Sequence, residues 1–302
     1  MSRPVVVLAG GTGGAKLARG MLDVVGPDEL VVIANTADDI EIYGAYVSPD
    51  PDLVTFWLAD RIDQRGWGLA GDTFQVMDGL RELGIDVWFN LGDRDLAVGI
   101  ERARRLDDGA RLTDAQAAIA VALQAGPSVL PMSDQPVRTR VRSAGRWWPF
   151  QEFMIKLGGR ESVQDVDVRG LRAAAPTPEV LDAIATARAI VIGPSNPVIS
   201  IGPILGLPGL RAAVRASPAR VVAVSPVVRG AVMKGPTAAF MQWSGQPLSS
   251  AGIAAGYADL IDGLVADEPT DSLPVLRTDV LMDSAAARRR VADETLGFAL
   301  SL

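Results

Sequence analysis

The sequence predicts an α/β protein: a doubly wound, mostly parallel sheet with an inserted, mainly helical subdomain. Three observations support this. Val5-Val6-Val7-Leu8-Ala9 runs directly into Gly10-Gly11-Thr12-Gly13-Gly14-Ala15-Lys16-Leu17-Ala18, which reads as strand, tight turn and helix. Further short β-branched runs alternate with helical patterns, and strands separated by helices pair in parallel. The 302 residues are enough for one large core, or for a core carrying an insertion.

Taken in order, the predicted strands are Val5–Ala9, Leu30–Ala34, Val87–Asn90, Ala189–Gly193 and Val221–Ser225. Predicted helices cover Ala15–Val25, Asp72–Leu83, Thr113–Ala125, Pro178–Arg188 and Ser284–Gly297. Thr113 suits an N-cap, and Pro178 suits a first turn, where its missing N–H costs nothing. The alternation breaks over residues 60–168, where helical stretches mix with loops rich in Trp and Arg. The expected organisation is therefore a nucleotide- or diphosphate-binding core of residues 1–59 and 169–302. Residues 60–168 form an inserted helical cap over the site.

Composition narrows the chemistry. A net charge of −7 argues against broad electrostatic binding to nucleic acid or an anionic membrane. No apolar stretch approaches the roughly 20 residues that span a bilayer, and no signal-peptide pattern is present, so a cytoplasmic protein is expected. The chain has no Cys and no His. That excludes disulfides, thiolate and imidazole metal sites, a Ser-His-Asp triad and cysteine nucleophiles. Carboxylates, Lys, Arg, Tyr, hydroxyls and bound hard cations remain, and carboxylate oxygens suit magnesium best.

In a doubly wound sheet, ligands sit beyond the carboxyl ends of the strands. After the first strand, the glycines let the backbone turn and approach an anion, which the following helix start then attracts. The same glycines are compatible with a turn that serves only helix–sheet packing. The turn is neither a strict G-x-G-x-x-G nor a P-loop, since no Ser or Thr follows Lys16. After the second strand come Asn35-Thr36-Ala37-Asp38-Asp39-Ile40-Glu41 and then Ser48-Pro49-Asp50-Pro51-Asp52. Carboxylates opposite a phosphate loop suit a magnesium site; Asp38 and Asp50 also suit turn roles. Gly92-Asp93-Arg94-Asp95 fits either a phosphate-orienting Arg or a surface ion pair. Ser133-Asp134 and Pro149-Phe150-Gln151-Glu152 place polar groups near aromatics, a mixture that suits a flat heterocycle. Gly193-Pro194-Ser195-Asn196-Pro197 and Lys234-Gly235-Pro236 complete the rim, with Lys234 a phosphate cation or an ordinary solvated lysine.

Together, and in this order, these segments resemble the 2-phospho-L-lactate transferase (CofD/FbiA) family of coenzyme F420 biosynthesis, over nearly the whole chain. The resemblance implies a Rossmann-like fold, a homodimer and a magnesium-dependent transfer. A 2-phospholactyl or phosphoenolpyruvyl group would pass from a guanosine diphosphate-linked donor to the hydroxyl of the deazaflavin Fo, releasing GMP. By resemblance, Asp38, Asp39 and Asp52 surround the metal and serve catalysis, with Asp52 as base. Gly11, Thr12, Gly13, Gly14, Lys16, Ser195, Asn196 and Lys234 hold the donor, while Asp50, Asp93, Arg94, Ser133 and Asp134 line the acceptor pocket. The Trp67 region is similar to bacterial members and points to the enolpyruvyl donor. A distantly related group of regulatory proteins binds nucleotide sugars on the same fold without established catalysis, but would lack the acceptor-side motifs. An NAD-dependent oxidoreductase would want an acidic residue ending the second strand, where this chain has Ala34-Asn35.

Overall fold

A computed structural model describes residues 3–159, 161–233 and 235–302. The chain runs β1 (Val5–Ala9), α1 (Gly11–Val25), β2 (Leu30–Ala34), a hairpin of β3 (Ile40–Ile42) and β4 (Ala45–Val47), and α2 (Pro49–Leu58). Helices α3 (Gln75–Glu82), α4 (Asp93–Asp107) and α5 (Leu112–Leu123) follow, then β5 (Ser128–Pro131). Next come β6 (Arg138–Ser143), β7 (Arg146–Pro149), α6 (Phe150–Lys156), β8 (Asp165–Arg169) and α7 (Pro178–Thr186). The remainder is β9 (Ala189–Ile192), α8 (Ile201–Gly206), α9 (Leu210–Ala216), β10 (Arg220–Val224), β11 (Val227–Val228), β12 (Ala231–Val232), α10 (Thr237–Trp243), α11 (Ser250–Gly256), β13 (Gly263–Ala266), β14 (Val275–Arg277) and α12 (Ala285–Ser301).

Among the described residues, one seven-stranded sheet has the order β14-β13-β10-β9-β1-β2-β5, and every pairing in it is parallel. This is the Rossmann-like, doubly wound arrangement. The chain leaves β1 towards one edge and, at β9, returns to build towards the other. The crevice opens between β1 and β9, where the winding reverses. Register sets Val5 beside both Leu30 and Ala189. All five residues of β1 are buried, as expected for a strand covered on both faces. Alternate residues serve different cores: Val5, Val7 and Ala9 pack with α1, α2 and α12, whereas Val6 and Leu8 pack with α7, α8, α9 and α11.

Four differences from the sequence-based expectations have physical reasons. Val87–Asn90 is not a strand; no neighbouring edge is available to it, and Val87 and Phe89 instead pack with Met77 and Phe74 around α3. Strands β5, β13 and β14 were hidden by their brevity, and the first two also by Pro131 and Gly263 within them. The sheet thus draws its edge strand β5 from inside residues 60–168, a stretch that also holds the antiparallel sheet β7-β6-β8. Finally, Thr113 lies inside the first turn of α5, whose N-cap position is Arg111. Pro178 does open the first turn of α7, as expected, with Thr177 capping it by accepting from the Val180 amide. No described helix is long and apolar enough to cross a membrane.

The α1–α12 contact gives a test of this packing. A Cβ on Gly20 would lie 2.2 Å from the Arg288 carbonyl oxygen, while one on Gly79 of α3 would meet nothing. Gly20→Ala is expected to destabilise by about 1–3 kcal/mol through overpacking. Gly79→Ala is expected to stabilise by about 0.5–1 kcal/mol. Denaturant unfolding of both variants checks the pair.

Candidate functional site

The site forms where the ends of β1, β2 and β9 meet the start of α2. Gly11 has φ +64°, a left-handed conformation, with open space in front of its missing Cβ. Its N–H donates to Asp50 Oδ1 at 2.6 Å. The Gly10 N–H donates to Ser195 Oγ at 3.1 Å, joining the β1 turn to the β9 turn. Gly13 and Gly14 answer to packing: a Cβ would lie 2.0 Å from the Pro194 carbonyl oxygen at the first and 2.6 Å from Ser195 Oγ at the second. The packing role of the glycine turn is thus visible at Gly13 and Gly14. Two glycines admit the β9 turn, and the helix start keeps early amides that have no intrahelical acceptor.

At the end of β2, Asn35 is buried and its Nδ2 donates to Asp50 Oδ2 at 2.9 Å. Its own Oδ1 accepts from the Ala37 amide at 3.0 Å, turning the chain towards Asp38 and Asp39. Both aspartates are buried, as is Asp50. Asp39 Oδ1 accepts from Ser48 Oγ at 2.7 Å, and Gln151 Nε2 reaches over from α6 to the Asp38 carbonyl at 3.0 Å. Asp38 Oδ1 and Asp39 Oδ2 are buried with no hydrogen-bond partner. Such orphaned carboxylate oxygens are costly to bury.

Burial raises all three carboxyls, because it disfavours the charged form. Asp38 is pushed well above its ordinary value by desolvation and then by the charges of Asp50 and Asp39. Asp39 rises to about 7 by burial, opposed by the Arg138 guanidinium and by the Ser48 hydroxyl. Asp50 rises to about 6 by burial, opposed by its bonds to Asn35 and Gly11. Arg138 Nη2 donates to Tyr46 Oη at 3.2 Å and lies 3.8 Å from the Glu41 carboxylate, so one cation stands at the edge of the acidic group.

The remaining residues singled out from sequence are engaged elsewhere. Both Asp52 oxygens accept from the guanidinium of Arg102. Lys16 turns towards α2, its ammonium 5.9 Å from the centre of the Trp57 ring. Asn196 Oδ1 accepts from the Val198 and Ile199 amides, and its Nδ2 donates to Thr237 Oγ1 at 3.3 Å, shaping its own turn. Asp93 accepts from the Gln75 and Val76 amides and so caps α3; these bonds lower its pKa, the Thr73 hydroxyl most of all. Arg94 is exposed, with its amide on Asp72. Asp134 accepts from the Thr113 amide and hydroxyl at the start of α5, and Ser133 Oγ donates to the Ala175 carbonyl at 2.7 Å. Lys234 lies outside the described residues.

The cluster thus gathers Gly10, Gly11, Asn35, Asp38, Asp39, Asp50 and Ser195. Sequence reasoning missed Asn35, Ser48, Arg102 and Arg138 as members of its frame. An Asn two residues before an amide it can cap, directly after a buried strand, was the available signal for Asn35. Nothing in the sequence distinguishes Arg102 from Arg104 and Arg105 on the same helix. Among the described residues, no three carboxylates stand as a closed metal cage.

A cage is not required for magnesium, which binds through one or two carboxylates and completes its shell with water and substrate phosphate. The unpartnered oxygens of Asp38 and Asp39 are of the donor type that chemistry uses, whereas both oxygens of Asp50 already accept hydrogen bonds.

Comparison with known proteins agrees with the expected resemblance. The family model described as 2-phospho-L-lactate transferase CofD matches residues 5–292. A 2-phospho-L-lactate transferase of Methanosarcina mazei is 41% identical over 87% of this chain and 87% of its own. A phosphoenolpyruvate transferase of Kitasatospora aureofaciens is 39% identical over 95% of this chain and 97% of its own. Among solved structures, a UPF0052-family protein of Bacillus halodurans superposes with a TM-score of 0.56 at 19% identity, covering 92% of this chain and 88% of that one. That last likeness speaks for the fold alone.

The raised carboxyls carry a consequence for stability. Asp39 binds its proton more tightly folded than unfolded, so its contribution is full below its ordinary 3.8 and is lost as the pH rises through about 7. Asp39→Asn keeps an oxygen for Ser48 and removes the buried charge. Without divalent cations it is expected to be near-neutral at low pH and stabilising by about 1–4 kcal/mol at pH 8, as read by denaturant unfolding at both pH values.

Proposed function

The chain belongs to the CofD family of 2-phospho-L-lactate transferases, and from that premise we propose that it transfers a phospholactyl or phosphoenolpyruvyl group to Fo in coenzyme F420 biosynthesis. The donor is a guanosine diphosphate-linked three-carbon acid, and GMP leaves. One observation supports the reading most: Asp50 accepts the amide of a glycine turn at a helix start, and within electrostatic reach of it stand the buried carboxyls of Asp38 and Asp39, each with an unpartnered oxygen. A diphosphate brought to that helix start would meet Asp38, Asp39 and Asp50. So many negative groups in a desolvated rim repel one another unless a cation lies between them.

Asp38 and Asp50 are the residues that would hold magnesium, which would supply charge neutralisation of the diphosphate and of the departing GMP. The protein's own groups do the rest. The first-turn amides of α1 receive donor phosphate with the helix dipole behind them. The Fo hydroxyl oxygen attacks the phosphorus that carries the three-carbon acid, and the bond from that phosphorus to the GMP oxygen breaks. The hydroxyl proton passes to Asp39 Oδ2, which has no partner and belongs to a carboxyl that titrates near neutrality. Ser48 holds the other Asp39 oxygen and thereby aims the base. The proposal takes Asp39 rather than Asp52 as base because both Asp52 oxygens face Arg102. A homodimer and a cytoplasmic location belong to the same proposal.

The test is to incubate the protein with magnesium, Fo and each candidate donor, phospholactyl, phosphoenolpyruvyl or phosphoglyceryl, and to follow GMP. Release of GMP with at least one donor is expected, and Asp39→Asn should lower kcat by about 10²–10⁴ with a smaller change in KM. Absence of GMP with every donor would overturn the assignment in favour of a binding protein without catalysis.

A further inference from the structure

We propose that Arg102 is a positioning residue for this site: its buried guanidinium sets where the segment from Asp39 to Asp50 stands. The inference rests on the cation-binding reading above. Arg102 has none of its surface exposed. One Nη donates to the Tyr46 carbonyl at 3.0 Å and to Asp52 Oδ2 at 3.1 Å; the other donates to Asp52 Oδ1 and to Gln116 Oε1, the latter at 3.1 Å. Gln116 Nε2 in turn donates to Thr55 Oγ1 at 2.9 Å. One fork therefore joins the last strand of the β3–β4 hairpin, the first turn of α2 and the body of α5.

The points it holds bracket the site. Tyr46 and Asp52 lie on either side of Ser48, which bonds Asp39, and of Asp50, which bonds the glycine turn. Helix α4 lies close against the hairpin at this point. One turn before Arg102, a Cβ on Gly99 would already stand 3.0 Å from the Ala45 Cβ and 3.3 Å from the Tyr46 oxygen. The charge of Arg102 also favours the ionised form of Asp39.

Stability alone is a poor reason for such a pair. Two ions taken out of water seldom outperform apolar residues of similar volume, although removing one partner leaves a costly bare charge. A rigid planar fork, by contrast, fixes direction as well as distance, which an ammonium on a flexible stem does not.

That difference defines the experiment. Arg102→Lys, and the double variant Arg102→Met with Asp52→Leu, are compared with wild type in thermal unfolding, in Mn²⁺ binding by calorimetry and in kcat and KM. The double variant is expected to melt near wild type yet bind manganese about 10–100-fold more weakly, with the loss of turnover falling on kcat. Arg102→Lys is expected to fold and to lie between the two. A double variant that folds and binds manganese as wild type does would overturn the inference and leave the cation reading standing. A wild type that binds no manganese would overturn both. Should the double variant fail to fold, Arg102→Lys decides: weaker manganese binding at an unchanged melting temperature supports the clamp, and unchanged binding refutes it.

Discussion

The carboxylate of Asp50 ties the architecture together. One oxygen takes the Gly11 amide at the end of β1, the other takes the Asn35 side chain at the end of β2, and its backbone begins α2. The switch point of the sheet, the glycine turn and the acidic segment thereby share one charged group. It adds a side-chain tie to the direct Asn35 N–H bond to the Ala9 carbonyl at 3.1 Å, and with the Arg102–Asp52 pair it holds the first turn of α2 in place. Under the proposed function, a protein with excess negative charge would have to handle a diphosphate. Affinity has to come from a few local donors and a cation, because the surface as a whole offers no attraction.

The arrangement is expensive. Asp38, Asp39 and Asp50 are each buried enough to resist ionisation, and two of their oxygens bond to nothing. Natural proteins accept such costs at functional sites and offset them elsewhere. Here the offset is visible in the continuous apolar strands of the central sheet and in the close α1–α12 contact. The same residues that would make the chain more stable if neutralised are those to which the proposed function assigns the chemistry. Arg102 shows the reverse economy: a buried cation whose partners lie beside the site, and whose geometry matters more than its charge.

Local signals were legible in the sequence. The first βα unit could be read because every residue needed for it is consecutive, from the apolar run through the glycines into the helix. The β9 and β10 runs could be read because each is a short segment rich in Val or Ile after a helix. Val87–Asn90 misled because its alternation serves packing on α3 without any partner strand; β5 and β13 are too short to rise above their Pro and Gly, and β14 is only three residues long. The acidic segment was visible, but the division of labour within it was not. Asp50 and Asp52 are two residues apart on one helix start, and what separates them is Arg102, 50 positions beyond Asp52. Asp93 and Asp134 looked like ligand groups because a carboxylate that caps a distant helix carries no local mark.

The central claim is that a divalent cation bridges the acidic cluster and a diphosphate at the start of α1. Crystals grown with manganese and GDP, with anomalous data collected at the manganese edge, test it most directly. The account predicts one strong anomalous peak touching Asp38 or Asp50 and a phosphate oxygen of the nucleotide, beside the Gly11–Gly13 backbone. Nucleotide bound elsewhere, or manganese absent from those carboxylates while GDP is in place, would contradict it.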